Sequence, residues 1–154
     1  MEIKEAKNTD ANRISYLIRT SIDKNPNMYS QKQIDIWKRH NTPSKIKKQL
    51  NDRVIFCALK GNKLIGTISI KDNTIHGFYI SYSSRNKGIG TILLNHLEQY
   101  AITKKVKKLS LMSTPSAINF YKNKGYLANK ETTVTLDNVE YIEVEMTKTL
   151  LIKQ

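Results

Sequence analysis

The stretch Arg85-Asn86-Lys87-Gly88-Ile89-Gly90-Thr91 decides how the rest of the chain is read. Just before it, residues 74–82 (Thr-Ile-His-Gly-Phe-Tyr-Ile-Ser-Tyr) have the β-branched and aromatic content of a strand. Just after it, Ile89, Ile92, Leu93, Leu97 and Tyr100 recur at helical spacing, which predicts an amphipathic helix. A strand that passes through two closely spaced glycines into a helix builds an anion site. Gly88 and Gly90 let the backbone approach a ligand, the first-turn N–H groups have no partner inside the helix, and the helix dipole favours negative charge there. Arg85 and Lys87 add cations. A bland turn would look similar, so the surroundings carry the decision.

Upstream, Gly61-Asn62 separates apolar runs at 54–60 and 63–70 and has hairpin turn chemistry, and Lys71-Asp72-Asn73 turns the chain again into 74–82. Residues 2–7 read as a further short strand. Between them lie three predicted helices. Asp10 can cap the first, which carries Ile14, Leu17, Ile18 and Ile22 and ends near Asn25-Pro26-Asn27. Ser30 caps the second, bearing Ile34 and Trp37; the third follows Thr42-Pro43-Ser44, with Ile46 and Leu50 inward. Downstream come a strand at 108–112, a helix from about Pro115 to Asn123, and a hairpin of 126–136 with 140–147 turned at Asp137-Asn138. Consecutive hairpins around one strand-helix-strand unit predict a mostly antiparallel sheet with a local parallel pair.

Composition narrows the class. The 154 residues suit one domain, and 39% hydrophobic with 25% charged residues is a globular balance. No run of roughly 18 apolar residues offers a membrane span. The first residues, Met1-Glu2-Ile3-Lys4-Glu5, lack a basic segment followed by an apolar one, so a cytoplasmic protein is expected. The single cysteine, Cys57, lies in the run Val54-Ile55-Phe56-Cys57-Ala58-Leu59 and reads as core. A net charge of +13 favours an anionic partner. Nucleic acid is disfavoured, because the lysines are spread along the chain and no recognised nucleic-acid motif surrounds them. No Gly-x-x-x-x-Gly-Lys-Ser/Thr loop occurs, and no His/Asp/Glu cluster suggests a metal.

The central stretch resembles the GNAT acetyltransferases, whose signature Arg/Gln-x-x-Gly-x-Gly/Ala opens the helix after the fourth strand. Arg85, Gly88 and Gly90 match it. The segment from Ser113 to Tyr126, with Ala117, Phe120, Tyr121 and Gly125, resembles the family's second signature, Ser/Asn-x-x-Ala-x-x-Phe-Tyr-x-x-x-Gly-Phe. The resemblance covers residues 54–148 well; the leading helices match only in general arrangement. It implies an α/β (α+β) fold with a mixed, mostly antiparallel sheet of about seven strands and helices on both faces.

The resemblance also implies acetyl-CoA as co-substrate and an unidentified amine as acceptor. The backbone of Lys87, Gly88, Ile89, Gly90 and Thr91 would hold the pyrophosphate, with Arg85 and Asn86 beside it. Phe78, Tyr79 and Ile80 would run along the pantetheine arm where the fourth and fifth strands splay apart, and Ser113 and Asn119 would line that opening. Tyr121 would protonate the departing thiolate; the alternative is that its ring merely packs and its hydroxyl bonds a backbone carbonyl.

Many relatives place a basic glutamate on the fourth strand, yet residues 74–82 contain no carboxylate. Period-two alternation puts Thr74, His76, Phe78 and Ile80 on one face, making His76 the replacement candidate. A structural role for His76 stays open, as does an acceptor that enters already neutral. Two non-enzymatic readings also remain: an acyl-CoA-binding regulatory module and a basic nucleic-acid-binding protein. Glu140, Glu143 or Glu145 could make the acceptor pocket locally acidic, and the last hairpin leaves a homodimer open.

Overall fold

The computed structural model describes residues 1–23 and 28–151. Seven strands form one sheet: β1 (Glu2–Glu5), β2 (Val54–Lys60), β3 (Lys63–Lys71), β4 (Thr74–Ile80), β5 (Lys108–Ser113), β6 (Leu127–Leu136) and β7 (Val139–Thr149). Their order is β1-β2-β3-β4-β5-β7-β6, and every neighbouring pair is antiparallel except β4 with β5. The mostly antiparallel sheet with a local parallel pair is as the sequence predicts. The turns are as predicted too, since Gly61 at φ 61°, Asp72 at φ 54°, and Asp137 and Asn138 at φ 50° and 64° supply the positive φ that tight hairpins need.

Helices α1 (Ala11–Asp23), α2 (Gln31–Arg39), α3 (Pro43–Asp52), α4 (Ile89–Thr103) and α5 (Ile118–Asn123) cover both faces. On one side Ala11, Ile14, Leu17 and Ile18 of α1 and Ile46 of α3 bury against Ile55, Cys57, Leu59 and Leu64. Cys57 is fully buried, and burial pushes its thiol up to about 12, which keeps it an inert core group. On the other side Leu93, Leu94, Leu97 and Ala101 of α4 pack on Ile68, Ile75, Leu109 and Leu111.

Two local expectations change. Ile92 is 44% exposed, whereas Leu94 and Ala101 are fully buried; helix α4 turns a broad stripe to the sheet, offset from the predicted one. Asp10 ends a short 3-10 turn instead of capping α1 directly. Its carboxylate reaches back to accept the Lys7 N–H at 2.8 Å and pairs with Arg13. Burial opposes ionisation there, but the Lys7 amide, Arg13 and Lys4 together hold the Asp10 carboxyl below its usual range. Ser30 does cap α2, accepting the Gln33 N–H at 3.1 Å while the Gln33 side chain accepts the Ser30 N–H at 2.8 Å. The expected break at Asn25-Pro26-Asn27 lies outside the described residues.

A buried polar group fixes the end of the molecule that carries the second signature. Glu98, 7% exposed on α4, accepts hydrogen bonds from the Tyr126 hydroxyl at 2.9 Å and from Lys148 of β7 at 3.0 Å. This satisfies a carboxylate that would otherwise be costly to bury. The Tyr126 ring then packs edge-on against Tyr121 at 5.7 Å, so α4, β7 and α5 are registered on one another.

Candidate active site

Strands β4 and β5 pair only at Thr74 with Ser110 and Ile75 with Leu111. Beyond these residues they diverge, and a cavity of about 710 Å³ opens where the sheet has parted. That size suits a small organic ligand. Because the opening passes between strands, side chains from both faces of β4 reach it.

A bulge decides which ones. Thr67 and Ser69 of β3 pair with Tyr79 and His76, so two steps along β3 oppose three along β4. The extra residue is accommodated at Gly77, whose φ of 52° is disfavoured for any residue with a Cβ; an added Cβ would also sit 3.2 Å from Ser69 Oγ. The bulge breaks strict alternation. Ile75, Phe78 and Ile80 pack with the α4 core, whereas Tyr79 packs toward α1 and α3. His76 therefore does not share a face with Phe78 and Ile80, and it does not line the cavity. Its charged neighbours are Arg53, Asp52 and Lys71 at the far end of the strand; burial first, and then Arg53, hold its pKa below the usual histidine range.

One end of the cavity is backbone. Gly88 is the N-cap of α4 at φ 79°, with open space where a Cβ would be, and Asn86 is also left-handed at φ 61°. The first helical bond runs from the Ile92 N–H to the Gly88 carbonyl at 3.2 Å, so the Ile89, Gly90 and Thr91 amides precede the ladder. This left-handed turn feeding a helix start has the geometry of a concavity that can receive an anion. Asn86, Gly88, Ile89, Gly90 and Thr91 all line the cavity; Lys87 is exposed and does not. Arg85 lines it as well, but its guanidinium donates to the Ser21 carbonyl at 3.3 Å and lies over the Tyr82 ring, tying this loop to α1.

In the middle stand Phe78, Ile80, Phe120 and Tyr121. Tyr121 is 8% exposed and packed edge-on against Phe78, Phe120 and Tyr126 at 6.3, 5.3 and 5.7 Å. Burial alone raises its pKa, so it remains a phenol at neutral pH. The bond to a backbone carbonyl, its alternative role, is not formed among the described residues. Ser113 is buried outside the cavity with its hydroxyl donating to the Thr114 carbonyl at 2.8 Å, and Asn119 is exposed on α5; the adjacent Thr114 and Ser116 line the opening instead.

The other end is built of side chains that spacing does not bring together. Tyr29, Gln33 and Trp37 come from α2 and its lead-in, and Tyr141 and Glu143 from β7. The Trp37 indole N–H donates to the Tyr79 hydroxyl at 2.8 Å, and the Tyr141 hydroxyl donates to the Gln33 carbonyl at 2.8 Å. The rings of Tyr29 and Trp37 lie 6.3 and 5.9 Å from that of Tyr141. Burial raises the Glu143 carboxyl above its usual range. Of the three glutamates considered from the sequence, only Glu143 lines the cavity.

The sequence matches the acetyltransferase (GNAT) family over residues 21–126. Among solved structures, a GCN5-related N-acetyltransferase from Rhodopseudomonas palustris is 22% identical with a TM-score of 0.90, the alignment covering 97% of this chain and 95% of that one. The PaiA N-acetyltransferase of Thermoplasma acidophilum, solved with coenzyme A, is 23% identical with a TM-score of 0.76, over 97% of this chain and 100% of that one. An aminoglycoside 6′-N-acetyltransferase complexed with coenzyme A is 17% identical with a TM-score of 0.72, over 100% and 99% of the two chains. At these identities the likeness is one of fold. No curated protein matches the sequence.

Proposed function

The chain belongs to the acetyltransferase (GNAT) family, and from that premise we propose that it transfers an acetyl group from acetyl-CoA to a primary amine, with Tyr121 as the proton donor to the departing sulfur. The observation that carries this reading is the single cavity running from an anion-binding helix start to the Tyr121 phenol. The residues present fit the co-substrate. The amides of Ile89, Gly90 and Thr91 would receive the pyrophosphate, and the unpaired edge of β4 at Phe78, Tyr79 and Ile80 would run along the pantetheine arm. Acetyl-CoA supplies an acyl group activated as a thioester. The protein's own part is to orient that carbonyl, exclude water through the aromatic wall and hold a proton on Tyr121.

The direct test is thermal melting with and without acetyl-CoA, for wild type beside Gly90→Glu. An added Cβ at Gly90 meets Phe120 and Phe78 only at 3.5 and 3.6 Å, ordinary contact distances, and the longer side chain would bring bulk and a negative charge into the cavity beside the helix start. Wild type should be stabilised by saturating acetyl-CoA and the variant should not. A folded wild-type protein that shows no shift would overturn the reading.

A further inference from the structure

The acceptor end of the cavity has a composition that selects for charge. Among its described lining residues Glu143 is the only acid, and Arg85, at the opposite end, is the only base. The Glu143 carboxylate is half-buried and has no hydrogen-bond donor or ion-pair partner among the described residues, and burial raises its pKa. A partly desolvated carboxylate without a partner is costly, and a cation entering beside it would remove that cost. The rings of Tyr29, Trp37, Tyr79 and Tyr141 line the same cavity, and aromatic rings attract a cation with their faces and accept apolar groups. These rings are held in place: Trp37 by Tyr79, and Tyr141 by the Gln33 carbonyl.

We propose that the acceptor is a compact primary amine with one ammonium on an apolar or aromatic body, its ammonium seated on Glu143 within this ring wall, and that Glu143 serves as the general base. The assignment rests on the acetyltransferase reading above. The carboxylate takes one proton from R–NH3+, freeing the nitrogen lone pair. The new N–C bond forms as the thioester C–S bond breaks. Tyr121 gives its proton to the sulfur and recovers one, through water, from the nitrogen that is becoming the amide, while the proton on Glu143 passes to solvent. The balance is one ammonium and one acetyl-CoA giving one amide, one CoA thiol and one proton.

Polycations do not fit this arrangement. A second ammonium would find no second carboxylate among the described residues of the cavity and would approach a protein of net charge +13. The pocket thus favours one positive charge and rejects several.

Trp37 is the only tryptophan in the chain, so its fluorescence reports on this pocket. In CoA-loaded protein, 2-phenylethylamine should change Trp37 emission saturably, while its neutral counterpart 2-phenylethanol and the polycation spermidine should not at equal concentration. With acetyl-CoA, thiol release should favour 2-phenylethylamine over spermidine by at least about tenfold in kcat/KM. Glu143→Gln should retain the acetyl-CoA melting shift but lose about 100-fold in kcat/KM. The pH profile separates a base from a packing group. The titratable and charged groups that line the cavity with Glu143 are Tyr29, Tyr79, Tyr121, Tyr141 and Arg85, and burial raises the four phenols above their ordinary range, leaving Glu143 to govern the acidic side. Activity should fall as pH drops through a midpoint above that of an ordinary carboxylate, and Glu143→Gln should abolish that limb.

If acetyl-CoA gives no melting shift, the acetyltransferase reading and the acceptor assignment fall together. If the shift is present but 2-phenylethylamine neither changes Trp37 emission nor is acetylated, the acceptor assignment alone is overturned. It is overturned equally if spermidine is the better substrate, or if Glu143→Gln keeps wild-type kcat/KM and the acidic limb.

Discussion

The two ends of the cleft are made by different means. At the β4–α4 end the cavity is lined by the backbone of a left-handed Gly88 and the start of a long helix. At the α2–β7 end it is lined by aromatic rings and one carboxylate, contributed by residues more than a hundred positions apart, as the Tyr141 hydroxyl bond to the Gln33 carbonyl illustrates. A backbone site is indifferent to most side chains and suits a constant ligand such as a pyrophosphate. A side-chain site can be changed residue by residue, which suits the partner that gives an enzyme its specificity. Experiments that damage one end and spare the other test whether this division is real.

The largest effect is expected where the two ends meet. Tyr121→Phe removes one oxygen from a ring fixed by three aromatic neighbours, so the packing should survive. If the phenol delivers the proton to sulfur, kcat should fall about 100-fold or more while the acetyl-CoA melting shift is retained. Steady-state thiol release together with melting separates the two. A variant with wild-type kcat would leave the hydroxyl without a chemical role.

A smaller and one-sided effect is expected from Trp37→Phe. The substitution keeps a ring but deletes the N–H that donates to the Tyr79 hydroxyl at 2.8 Å, leaving a partly buried phenol without that partner. A hydrogen bond of this kind is worth about 1 kcal/mol, which corresponds to roughly a fivefold change in an equilibrium constant. Acceptor KM should rise by about that factor, and the acetyl-CoA shift should be unchanged. If acetyl-CoA binding weakened equally, the two ends would be one coupled site.

The same division explains what the sequence can disclose. The hairpins, the capping box at Ser30 and the glycine turn before α4 are local: each is carried by a few consecutive residues whose φ values and unpaired amides follow from residue type. Arg85, Gly88 and Gly90 are therefore readable as a candidate site without any tertiary contact. The aromatic pocket has no such signature. Tyr29, Trp37, Tyr141 and Glu143 look like ordinary amphipathic-helix and strand residues until the sheet order places β7 beside β5 and the divergence of β4 from β5 opens the space between α2 and β7. In the sequence the acidic residue of that pocket is only one of three glutamates on the last strand. Helix α4 is an intermediate case: its existence is clear from periodicity, but the inward face shifts because Leu94 and Ala101, not Ile92, meet the sheet.

The smallest expected effect comes from His76, and it follows from one glycine. Uniform alternation would point residue 76 the same way as Phe78 and Ile80, toward the α4 side of the cleft. Gly77 inserts an extra residue opposite β3 and reverses that relation, so the imidazole lies on the other face, among Arg53, Asp52 and Lys71, and outside the cavity. The Ser69 hydroxyl donates to the His76 carbonyl at 2.9 Å, a bond to the main chain that the alanine variant keeps. His76→Ala should therefore change kcat/KM by less than about twofold and leave the acidic limb of the pH profile in place, because the histidine neither touches the reacting groups nor supplies the titration assigned to Glu143. A large loss of kcat in a variant that still binds acetyl-CoA would return the base to β4 and would mean that the bulge does not isolate residue 76 from the chemistry.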